Sequence, residues 1–277
     1  MKLSASRLSV IASALVMLLM APRLVSAAED QGIRLTLRPG SHAFTLHEPV
    51  FANLAINNAT GHSIDLDLGK NFQGNLALAI SGPEQALEAW MPSPANGMFI
   101  PGHISLKAGE TYREELLLND AYNFAVPGIY SLSVRLANQS HGQQTIAQTL
   151  EPVSIEISPL QPARLAEVCR RLESKALSIN AEEALYAARA LSYVQSEICI
   201  PSLRRVLEMS SAGQDGAVLG LARLGTQKAI DVLVEEWNKL RPDQQAIAYG
   251  ELERQGKLEI LRATLEKSGK QTVHKEL

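Results

Sequence analysis

The sequence predicts a multidomain β + α protein, an antiparallel β-sandwich followed by a short all-α solenoid, and three observations carry that prediction. Apolar and polar residues alternate from Ile33 to about Ile157, the period of strands with one buried face. After Ser158-Pro159-Leu160-Gln161-Pro162 the period becomes helical, since residues three and four apart share one helix face. The helical stretch then repeats itself at an offset of 30 residues and next of 28, as stacked units do when each buries its face only against a neighbour.

The chain has 277 residues, 46% hydrophobic and 20% charged, a globular composition that excludes a disordered, collagen-like or disulfide-packed chain. With 26 basic and 29 acidic residues its formal charge is −3, which argues against a generally basic nucleic-acid binder.

Lys2 and Arg7 precede an apolar run from Leu8 to Ala21, and Val25-Ser26-Ala27 then supplies small residues. The run falls short of the roughly 20 residues a membrane span needs, so residues 1–27 are expected to be a secretory signal peptide. Its removal takes Lys2, Arg7 and Arg23 and leaves 23 basic against 29 acidic groups. No second long apolar run follows, so no stable membrane insertion is expected after cleavage.

Residues 28–158 read as strands: Ile33, Leu35, Leu37; Val50, Leu54, Ile56; Ile64, Leu66, Leu68; Leu76, Leu78, Ile80; Leu116, Leu118; Ile129, Leu132, Val134, Leu136; Val153, Ile155, Ile157. Turn residues separate them, as at Arg38-Pro39-Gly40, Ser81-Gly82-Pro83 and Val126-Pro127-Gly128. Short strands at this spacing predict an immunoglobulin-like antiparallel β-sandwich. Leu54-Ala55-Ile56-Asn57-Asn58, Leu106-Lys107-Ala108-Gly109-Glu110 and Pro127-Gly128-Ile129-Tyr130-Ser131-Leu132 resemble secreted bacterial immunoglobulin-like modules. More weakly they resemble the intracellular proteinase inhibitor family, whose final hairpin shares the Pro-Gly-x-Tyr sequence.

Residues 159–161 read as a linker, 162–268 as the helical domain and 269–277 as a flexible tail. Leu165, Val168, Cys169 and Leu172 share a first helix face. Asn180 is placed to cap the next helix, with Glu183 set to reach back to the cap amide, and Ala184, Leu185, Ala188, Leu191 and Val194 form its stripe. Leu191, Val194, Ile200, Leu203 and Leu207 align with Leu221, Leu224, Ile230, Leu233 and Trp237, and four of these with Leu252, Leu258, Leu261 and Leu265. These residues resemble HEAT-like repeats of the phycobilisome lyase type. That resemblance implies a binding scaffold; no tetrapyrrole site is legible, and no cofactor is expected.

Cys169 and Cys199 lie on apolar helical stripes and are candidates for a disulfide in an oxidising compartment. His42, His47, His62, His103 and His141 fit no metal-ligand spacing, and Asp65 with Asp67 reads as a solvated strand face. Gly-x-Ser-x-Gly, phosphate-loop, His-Glu-x-x-His and Cys-x-x-Cys motifs are all absent from the sequence. Trp90-Met91-Pro92 through Met98-Phe99-Ile100-Pro101-Gly102 is Pro- and Gly-rich with large apolar residues, so Trp90, Met91, Met98 and Phe99 form a candidate binding loop. Residues 28–158 carry 6 basic and 13 acidic groups, residues 159–277 carry 17 and 16. The expectation is an exported, periplasmic or extracellular, non-enzymatic protein-binding scaffold whose partner is another protein of the cell envelope. The alternative is a secreted protease inhibitor acting through loop residues 91–103.

Overall fold

The computed structural model describes residues 32–68, 76–83, 102–138 and 146–270. The first 158 residues supply ten strands among the described residues: β1 (Ile33–Pro39), β2 (Ala43–Thr45), β3 (Phe51–Asn58), β4 (Ile64–Asp67), β5 (Leu76–Ser81), β6 (His103–Leu106), β7 (Thr111–Leu117), β8 (Gly128–Asn138), β9 (Ile146–Thr149) and β10 (Val153–Ser158). They form three small sheets: β1-β3-β7, then β2-β10-β8-β5 with β9 on β8, then the pair β4-β6. The immunoglobulin-like antiparallel sandwich expected from the alternation is therefore corrected. The strands are shared among three sheets, none forming a sandwich, and the β2–β10 pair is parallel. Alternation says which face of a strand is buried but carries no information about its neighbour or their relative direction.

The alternation itself is realised. Along β1 the burial runs inward at Ile33, Leu35 and Leu37 and outward at Arg34, Thr36 and Arg38. These inward residues share one hydrophobic core with Leu54, Tyr130, Leu132 and Ile155. Tyr130 is fully buried; its hydroxyl donates to the Val126 carbonyl at 2.6 Å and its ring meets Phe124 edge-on, 5.2 Å between centroids. That satisfied hydroxyl is what lets a tyrosine sit there at all.

The helical C-terminal region contains α1 (Pro162–Ala176), α2 (Ala181–Leu191), α3 (Ile200–Met209), α4 (Gln214–Leu224), α5 (Gln227–Glu236), α6 (Pro242–Arg254) and α7 (Leu258–Lys267). Contacts run α1–α3–α5–α7 and α2–α4–α6, so the helices form two layers. Both aligned sets of repeat positions lie in the one core between those layers, with Leu191, Leu203, Leu221, Leu233, Trp237, Leu252, Leu261 and Leu265 buried. Asn180 caps α2, accepting from the amides of Glu182 and Glu183. The expected return arm from Glu183 is replaced, because the Asn180 amide donates to Ser178 Oγ at 3.2 Å. Leu185, expected in the stripe, is 54% exposed.

Gly216 lets α4 cross α2 at backbone distance: a Cβ there would sit 2.7 Å from the Ala188 carbonyl carbon. Backbone cannot swing aside as a side chain can, so Gly216→Ala is expected to destabilise by about 2 kcal/mol, read as a fall in the urea midpoint. Gly225 ends α4 in the left-handed region, φ 52°, the usual residue for that cap.

Candidate functional site

The outward face of β1-β3-β7 is polar over three registered rows: Arg34, Asn57 and Thr111; Thr36, Ala55 and Arg113; Arg38, Asn53 and Glu115. The fourth row changes character, pairing Phe51 with Leu117. Leu117 is fully buried and belongs to the helical core, whereas its neighbours Leu116 and Leu118 belong to the strand core. The Phe51 ring lies 6.1 Å from that of Tyr186 on α2, whose hydroxyl donates to the Glu115 carbonyl at 3.1 Å. One apolar row therefore docks the helices on the sheet, and the polar rows remain uncovered.

Two ion pairs flank that contact. Arg189 on α2 reaches Asp120 at 3.0 Å, the carboxylate being 3% exposed. Burial raises the Asp120 pKa, and this outweighs the lowering by the Arg189 charge and by hydrogen bonds from Tyr193 and Arg189. Arg223 on α4 stacks over the Tyr193 ring at 4.2 Å and donates to Ser192 Oγ at 2.9 Å, extending the network along the same helical layer. Arg164 on α1 donates to Glu48 at 2.9 Å and to the Ala43 carbonyl. Glu48 is aimed by a tight turn with His47 at φ 70°, the left-handed region that histidine enters more readily than most residues. The expected linker is pinned: Thr45 Oγ1 donates to the Pro159 carbonyl at 3.0 Å and accepts from the Gln161 amide at 2.7 Å.

Between the sheet and the helices opens a cleft of about 470 Å³. Phe44, Phe51, Leu172 and Tyr186 give it an apolar lining, and Arg171 and Lys175 a cationic rim. Neither Arg171 nor Lys175 has an ion-pair partner among the described residues. Glu48, Glu115 and Glu183 line it as well, so the cleft offers apolar contact beside charges of both signs, at the kind of junction where ligands commonly seat. A second hollow of about 470 Å³ lies beside Tyr193, Arg223, Glu251 and Arg254, but there Arg254 is engaged by Glu251 and Arg223 by Ser192.

Of the residues singled out from sequence, Cys169 and Cys199 are brought together. Both are thiols, 1% and 0% exposed, and a hydrogen bond to Cys169, followed by burial, pushes the Cys199 thiol well up. Kept reduced, both should resist a thiol reagent while the chain is folded and be labelled readily after denaturation. Trp90, Met91, Met98 and Phe99 lie outside the described residues, as do residues 1–27, His141 and most of the tail. Among the described residues no group of three or more His, Cys, Asp or Glu side chains is placed to hold a metal. Asn58 is buried, donating to the Leu106 carbonyl at 2.9 Å. Sequence reasoning missed Leu117, Asp120, Glu48 and Phe51. The legible signal was Leu116-Leu117-Leu118, an apolar run that breaks the alternation where a strand is buried on both faces.

No family model and no curated protein matches the sequence. Among solved structures the chain is similar to the Pseudomonas fluorescens alkylpurine DNA glycosylase AlkC bound to DNA containing an abasic site analog. The identity is 13% over 46% of this chain and 30% of that one, with a TM-score of 0.28. It is also similar to the sporulation control protein Spo0M of Bacillus subtilis, at 10% identity over 50% of this chain and 55% of that one, TM-score 0.31. The chain thus spans less than two thirds of either structure, and at these scores neither likeness carries an activity over. Against the expected absence of a nucleic-acid partner stands the DNA in the glycosylase structure, which is a property of that protein. Among the described residues no helix is long and apolar enough to cross a membrane.

Proposed function

We propose that this chain is an exported, non-enzymatic protein-binding scaffold of the bacterial cell envelope, with HEAT-like helical hairpins behind it. The observation that supports this is the junction cleft. Leu117 and the pairs Asp120–Arg189 and Glu48–Arg164 hold strands and helices together, which keeps open a mixed pocket whose aromatic side chains lie beside Arg171 and Lys175. A rigid pocket of that kind holds a partner's side chain without first having to order itself. The same reading makes Cys169 and Cys199 a disulfide in the mature protein. Two thiols give two protons and two electrons to the disulfide of a thiol-oxidising protein, which departs as a dithiol. The closed loop stabilises by about 3 kcal/mol, so reduction should lower the melting temperature and add two hydrogen masses.

The test is chemical crosslinking of the tagged full-length protein in its native cells, followed by pull-down from the envelope fraction. The expected result is a processed chain beginning near Ala28 and a polypeptide partner whose capture falls in Arg171→Glu/Lys175→Glu. A chain retained unprocessed in the cytosol overturns the export reading, and absence of any partner under several crosslinkers overturns the scaffold reading.

A further inference from the structure

Ala55 stands at the centre of the three polar rows of β1-β3-β7, with Thr36 and Arg113 on either side of it across the sheet. A methyl group ringed by longer side chains makes a hollow, and a depression of about 770 Å³ occupies this face. Three arginines rise around it: Arg34 and Arg38 from β1 and Arg113 from β7, all exposed. They are three of only six basic residues in 28–158, a stretch with thirteen acidic ones. None of the three has an ion-pair or side-chain hydrogen-bond partner among the described residues. The helical arginines Arg189, Arg204, Arg205, Arg241 and Arg254, by contrast, are all paired. Gly40 and Glu115 line both this hollow and the junction cleft, so the two form one continuous surface.

We infer that this surface docks an extended acidic segment of a partner protein, its carboxylates over Arg34, Arg38 and Arg113 and one apolar anchor residue in the cleft beside Phe51 and Tyr186. The inference rests on the scaffold reading above and names the surface and the chemistry of the partner. Charge complementarity selects the occupant. Exposed guanidiniums without internal partners offer planar, paired donors that fit carboxylates, and Asn53, Asn57 and Thr36 add polar groups between them. The spacing agrees: four residues along β1 separate Arg34 from Arg38 by about 13 Å, the distance an extended peptide covers between acidic residues i and i+4. A polynucleotide fits less well, because Glu115 interrupts the cationic field and the nine residues of the three rows include no aromatic ring for bases to stack on.

The experiment is fluorescence anisotropy of the full chain with a labelled short peptide of alternating acidic residues and one Phe near its end. Companion probes are a peptide with Lys for each acid, one with Gly for Phe, and a short duplex DNA. Binding of the acidic peptide is expected, weakened about tenfold in Arg34→Glu/Arg38→Glu/Arg113→Glu if each exposed pair contributes modestly. It should weaken as well at high salt and on loss of the Phe, and the Lys peptide should not bind. Unchanged melting temperature shows that the variant is folded, as exposed sites on one face allow. Failure of the acidic peptide to bind, or equal binding by the triple variant, overturns the inference. DNA binding that the variant abolishes would reassign the face to nucleic acid. If the triple variant still captures the envelope partner that Arg171→Glu/Lys175→Glu loses, the scaffold reading stands and this docking surface does not.

Discussion

Leu117→Asp is expected to separate strands from helices and to lower the melting temperature by about 10–20 °C. Leu117 is fully buried and is the residue of β7 that enters the helical core. Removing a buried leucine side chain costs about 2–3 kcal/mol, and a carboxylate left there without a partner adds several more. The sum is about 5 kcal/mol, a large share of the stability of an ordinary domain, and each kcal/mol shifts the midpoint of a chain this size by about 2–4 °C. Thr36→Asp, on the same sheet face but exposed, is the control and should stay within about 0.5 kcal/mol. Calorimetry separates the cases. A variant that melts like the native chain would show that the junction is not held by this row.

Asp120→Ala is expected to cost about 1–3 kcal/mol, because Arg189, itself only 20% exposed, then loses a hydrogen-bond acceptor inside the junction. Arg189→Met added to it should recover part of the loss, since replacing both partners by apolar groups removes the stranded charge. The pH dependence has a definite sign. Burial raises the folded-state pKa of Asp120 above its unfolded value, so the folded chain takes up this proton first on acidification. The contribution of the group to stability is full below the unfolded pKa and is lost as pH rises through the folded one. Urea midpoints measured from neutral pH down toward the carboxylate range should therefore carry an Asp120 component that rises on acidification and is missing in Asp120→Asn. A component of the opposite sign would mean that Arg189 outweighs burial.

Much of the local structure was legible from the chain. The alternation marked the buried faces of β1, β3 and β10, and of β8 except at Ile129, which is 67% exposed, and the helical period with Pro162 and Asn180 marked the starts of α1 and α2. The offsets of 30 and 28 picked out residues that share one core. The sandwich did not follow, because a three-residue strand such as β2 can join β10 in parallel without any change in its own pattern. The site was less legible still. Attention went to Trp90, Met91, Met98 and Phe99 for their composition, whereas the cleft is built from residues ordinary in sequence: Phe51 inside a strand, Tyr186 and Arg171 on helices.

By itself the sequence determined where the helices and the longer strands lie, which side of most of them is buried and which thiols were available to meet. Those properties depend on residues two, three or four apart, and the repeat on neighbouring units of one kind. Only the tertiary structure decided the sheet partners, the docking row at Phe51 and Leu117, and the buried pairs that close the junction. Asp120 and Arg189 are 69 positions apart, and Glu48 and Arg164 are 116 apart. No local period links residues at such separations; their charges meet because apolar burial of one sheet row against one helix brings them within 3.0 Å.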